Sequence, residues 1–134
     1  MTTDSQLNFH RQLLTGLKGY IVQQPPFNAE QLLEDDVEFV ALFSRLCENP
    51  NAAYDGQQLI STIITRYPHI TPMVPRDLFW YFGGDCLHFL GDEEIEFFQQ
   101  LDEAYHQLLS ENPAGIDYAK LRAGAGGEQP RHLN

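Results

Sequence analysis

The chain has 134 residues, 43% of them hydrophobic and 12% aromatic, and a formal net charge of -11 from 19 acids against 8 Lys and Arg. That is the length of one domain with a core large enough to need no metal or disulfide staple, and it is too apolar for a disordered chain. The charge repels phosphate backbones, which argues against direct nucleic-acid binding, and no run of about 18 apolar residues exists to cross a membrane.

The first residues, M-T-T-D-S-Q, lack the basic and apolar regions of a signal peptide. Cys47 and Cys86 lie among apolar neighbours and read as buried free thiols. A cytoplasmic protein is expected. The acids are clustered, with seven between positions 30 and 55 and eight between positions 85 and 111.

Asp4 or Ser5 can cap a first helix reaching about Val22, on which Leu7, Leu13, Leu14, Leu17 and Ile21 recur at helical spacing. His10 falls in the middle of that apolar face. Pro25 and Pro26 stop the helix. Asn28, followed three residues later by Gln31, predicts the cap of a second helix ending near Glu48. Its expected apolar face is Leu32, Leu33, Val37, Val40, Phe43 and Cys47, with Phe39 and Leu46 at one margin. Asp36 projects into the centre of that face. Glu34 and Glu38, like charges one turn apart, take the other side.

Asp55 and Gln58 predict a third helix carrying Leu59, Ile60, Ile63, Ile64 and Tyr67. Its β-branched residues make a strand the competing assignment. A Pro-punctuated loop over 68–75 comes next. The stretch 76–90 holds the only Trp, four further aromatic residues and the pair Gly83 and Gly84. It reads as a central helix, apolar almost all round, which the other segments wrap. Leu78, Phe79, Phe82, Cys86 and Phe89 form its main stripe, and Tyr81, Gly84 and His88 a narrower one beside Asp85. Two mid-helix glycines cost about 1 kcal/mol each relative to Ala. They imply close helix packing or, alternatively, a break into two pieces.

Asp92, Glu93 and Glu94 open a fifth helix where the macrodipole favours acids, and Ile95, Phe98, Leu101, Tyr105, Leu108 and Leu109 make its buried face. A short sixth helix is expected over about 116–122. The expected organisation is a single helical domain over 1–122 and a disordered Gly-rich tail over 123–134. The fold class is all-α, a compact bundle or orthogonal array of five or six helices.

Recognisable nucleophile, phosphate-loop and dinucleotide motifs are absent, as is C-x-x-C, so the reading leans away from an enzyme and implies no cofactor. Asp85 with His88, and Glu103 with His106, stand at the i, i+3 spacing that places two metal ligands on one helix face. The second pair falls on the solvent side of its helix, which argues against a shared metal. Asp36, if buried, needs a partner; His10, Tyr81 and His88 are the candidates. The expected function is a non-enzymatic interaction or regulatory module, its acidic faces meeting a basic protein partner. The aromatic central helix also offers a homodimer interface. The rival readings are a metal- or small-ligand-binding protein or small enzyme built on Asp36, His10, Asp85 and His88, and an acidic mimic of nucleic acid.

Overall fold

The computed structural model describes residues 4–125. Among these the chain is all-α. In order come α1 (Asp4–Ile21), α2 (Glu34–Glu48), α3 (Ala53–Arg66), a 3₁₀ turn (Pro68–Met73), α4 (Arg76–Phe82), a second 3₁₀ turn (Gly84–Phe89), α5 (Asp92–Glu111) and α6 (Tyr118–Gly124). The helices form one packed array: α1 lies against α2, α4 and α6, while α3 touches α2, α4 and both 3₁₀ turns, and α5 packs on α4 and α6. No helix of the described residues is long and apolar enough to cross a membrane. The helical assignment of 53–66 prevails over the strand alternative, because Leu59, Ile60 and Ile63 bury on one side as a helical period requires.

The stretch 76–90 does sit centrally, with Leu78, Phe79, Phe82 and Cys86 buried. It is two helical pieces rather than one helix. The cause is Gly83, whose φ of 68° and ψ of -150° end α4 in a conformation open essentially to glycine. Its N–H still closes the last turn onto the Phe79 carbonyl. The break redirects the second piece: Phe89, expected in the buried stripe, is 47% exposed. The remaining apolar side chains of the stretch are covered from within the chain, and Trp80 is half-buried against Phe98.

The second helix differs from expectation in start and in rotation. Asn28 does not cap it; its side-chain amide turns back to the Gln23 carbonyl, 3.2 Å away. Phe27 is buried against Phe39 and Tyr67, with ring centroids 5.4 and 4.8 Å away, and this pins residues before α2 as turns. With Phe39, Phe43 and Leu46 facing the core, Val37 is 51% and Leu33 70% exposed. Both belong to the stripe expected inside. Three large side chains outweigh the smaller stripe on the neighbouring face. Arg11 of α1 closes the far end of α2, donating to the carbonyls of Cys47 and Glu48.

The last element is tied to the first. Ser5 donates to the Ile116 carbonyl at 2.7 Å and accepts from the Tyr118 N–H at 3.1 Å. Asp117 caps α6 by accepting from Ala119 and Lys120. The helix runs to Gly124, two residues past the expected boundary at 122; the rest of the expected tail, 126–134, lies outside the described residues.

Gly56 allows α3 to meet α4. A Cβ there would fall inside the ring of buried Phe82. Gly56→Ala is therefore expected to destabilise the fold. Overpacking costs about 1–3 kcal/mol, more than the helix-propensity gain of up to about 1 kcal/mol. A lowered urea midpoint at unchanged m-value checks this; an unchanged or raised midpoint refutes the close approach.

Candidate functional site

Where α1, α4, α5 and α6 meet, polar and aromatic side chains form a buried knot. His10 is 2% exposed. Its Nδ1 lies 2.8 Å from the Gln6 carbonyl, which can only accept, so Nδ1 carries the ring proton. Tyr81 stacks on the imidazole at 3.9 Å with planes 9° apart, and Phe9 and Tyr118 close on it from other directions. Burial pushes the His10 pKa down from 6.5 to about 4, further helped by Arg122 and opposed by the Gln6 bond and the charge of Asp77. The ring is therefore neutral at pH 7.

Next to it, Arg122 grips Asp77 with two parallel hydrogen bonds, Nε to Oδ2 at 2.7 Å and Nη2 to Oδ1 at 3.0 Å. The pair is buried, and the guanidinium lies over the rings of Phe97 and Phe98, 5.1 and 5.8 Å from their centroids. Trp80 donates its indole N–H to Asp102 Oδ2 at 2.8 Å, while Asp102 Oδ1 is buried without a hydrogen-bond partner among the described residues. Burial raises the Asp102 pKa against the Trp80 bond and the field of His106. The Tyr118 hydroxyl is pushed upward by burial and by the charges of Asp102 and Asp77. These groups hold four helices in register.

Asp36 is buried, as its place in the wheel implies, but none of its three expected partners reaches it. Tyr67, at the end of α3, donates to Asp36 Oδ1 at 2.5 Å. Burial, then the bond and charge of Asp36, push the Tyr67 pKa up to about 12. Tyr67 also packs on Phe27 and Phe39, so the bond fixes how α2 sits on α3. Asp85 and His88 lie exposed on the second 3₁₀ turn. Of the five candidates, the fold brings only His10 and Tyr81 together. Among the described residues no three His, Cys, Asp or Glu side chains cluster to hold a metal ion.

The surface carries the charge. Arg76 takes Glu94 with two bonds of 2.8 Å, leaving the outward face of α5 with Asp92, Glu93, Glu96, Glu103 and Glu111 and no cation on the helix. Along that face Asp92, Glu96, Glu103 and Glu111 stand 4, 7 and 8 residues apart. Between α2 and α3 runs an open groove of about 500 Å³ with Phe39 and Leu42 at its floor. Arg66 and Asp35 pair across its rim at 2.9 Å, whereas Glu38, Asp55 and Arg45, which also line it, make no ion pair among the described residues.

Sequence reasoning missed Asp77, Arg122, Asp102 and Tyr118. One local signal existed. Tyr118 and Arg122 stand one turn apart on α6 and both turn inward. Nothing local pointed Arg122 at an acid 45 positions earlier.

The chain belongs to the PA2817-like family, whose model matches residues 2–125. No curated protein and no solved structure matches it.

Proposed function

We propose that this PA2817-like protein is a non-catalytic interaction module that presents its acidic faces to a basic protein partner. The observation that carries the reading is the outward face of α5, a helix of 20 residues with acids from its first turn to its last and no Lys or Arg. Such a face sets up a negative potential along about 30 Å of helix, which speeds and selects a positively charged partner. The exposed Glu34 and Glu38 of α2 extend the same character. The His10 and Asp77 knot is spent on holding helices together, and this favours a binding role over a catalytic one. In this reading the protein works in the cytoplasm, where the two free thiols Cys47 and Cys86 persist unpaired.

The test is capture from native lysate at low salt, using the wild type and a variant with Glu93, Glu96, Glu103 and Glu111 changed to Gln. The expected result is a basic protein that is held by the wild type, released as ionic strength rises, and lost from the variant. Capture of nothing at low salt, together with turnover of any compound in a metabolite panel, would sink the reading.

A further inference from the structure

The groove between α2 and α3 gives that partner a specific place to dock. Two of its carboxylates, Glu38 and Asp55, have no hydrogen bond or ion pair among the described residues, although Arg45 and Arg66 line the same groove. Arg66 is already committed to Asp35. The floor between the carboxylates is apolar, from Phe39 and Leu42. At the α3 lip, Tyr54 is 71% exposed one turn before Gln58, and Val37 on α2 is 51% exposed one turn before Ala41; Gln58 and Ala41 both line the groove. Charged walls around an apolar floor, with exposed apolar residues at the lips, are the anatomy of a site for an amphipathic chain.

We propose that this groove docks a peptide segment in which an arginine or lysine is flanked by apolar residues. The aliphatic stem lies on Phe39 and Leu42, and the cationic head sits between Glu38 and Asp55. Arg45 takes a main-chain carbonyl of the segment, and Tyr54 offers a ring face to a flanking side chain or to the cation. The charge pattern favours this occupant: a purely apolar segment would leave two carboxylates facing it unpaired, and an acidic one would meet both of them with only Arg45 to offset the repulsion. The inference rests on the reading of the protein as a module for basic partners and specifies where such a partner inserts.

The probe is an acetylated, amidated pentapeptide of alternating leucine and arginine, titrated into the full chain and followed by backbone amide chemical shifts. The expected result is a shift set centred on Glu38, Leu42, Asp55 and Thr62. Binding should weaken about fivefold or more in Glu38→Gln/Asp55→Asn, while Glu30→Gln/Asp85→Asn, at exposed acids outside both the groove and the α5 face, leaves it unchanged. The same peptide with glutamine in place of arginine should bind at least about fivefold more weakly. Shifts confined to α5 overturn the groove and leave the acidic-face reading standing. Absence of binding anywhere overturns both. Equal binding of the glutamine peptide overturns the cation's role.

Discussion

Asp77→Ala is expected to remove about 3–5 kcal/mol of stability, a large share of the roughly 5–15 kcal/mol available to a domain of this size. The physical reason is desolvation. Arg122 sits at 11% side-chain exposure and Asp77 at 10%. Without the carboxylate, the guanidinium keeps the faces of Phe97 and Phe98 but loses two charge-assisted bonds in a place where water does not replace them. The loss should show as a fall in the urea midpoint and as loosening of α6, whose last turn holds Arg122. Replacing both partners together, Asp77→Leu with Arg122→Met, removes the buried charge as well as its partner. It should cost far less than Asp77→Ala alone. A double variant as unstable as the single one would show that the pair itself, and not the loss of an acid beside a buried cation, supplies the stability.

Acid should weaken the fold well before its carboxylates titrate. Unfolded, His10 has a pKa near 6.5; folded, it is pushed down to about 4. Between those values the unfolded chain binds a proton that the folded chain refuses. The stability from the neutral ring is thus fully present above pH 6.5 and is lost as pH falls through about 4. The total is about 3 kcal/mol, of which about 2 kcal/mol is gone by pH 5. Glu94, whose pKa is lowered from 4.5 by Arg76, adds a loss only at lower pH, and Asp102, whose pKa is raised from 3.8, works in the opposite direction there. The difference in urea midpoint between the wild type and a variant without the imidazole, followed from pH 7 to 4.5, therefore isolates His10. His10→Asn keeps a donor for the Gln6 carbonyl and removes the titration, so its midpoint should be nearly flat across the window. A wild-type midpoint that does not move would mean the ring is open to protons in the native state.

How far these residues can be read from sequence depends on whether their neighbours are local. His10 is identifiable because it interrupts an apolar stripe within its own helix. Asp36 is identifiable on the same ground, and both are buried. Their partners are not. Tyr67 stands 31 positions from Asp36, and Arg122 stands 45 from Asp77. Periodicity says which side of a helix faces inward but not which other helix waits there. The rotation of α2 makes the same point in another form. Its sequence holds two adjacent apolar stripes, and docking of Phe39 beside Phe27 and Tyr67 selects one, leaving Val37 outside. The groove is not legible at all, because it exists only between two helices.

Spacing, prolines and net charge are enough to establish the all-α class, the helix count to within the break at Gly83, and the acidity that makes a basic partner the natural expectation. All of these are properties of residues a few positions apart or of the chain as a sum. Everything else waits on packing. The fold turns the 76–90 stretch into two pieces, because Gly83 takes a backbone conformation other residues avoid. It separates Asp36, the pair of His10 and Tyr81, and the exposed Asp85 and His88 into three places. It also leaves Glu38 and Asp55 unpaired among the described residues beside an apolar floor. Desolvation and pairing act between side chains that the fold alone brings together.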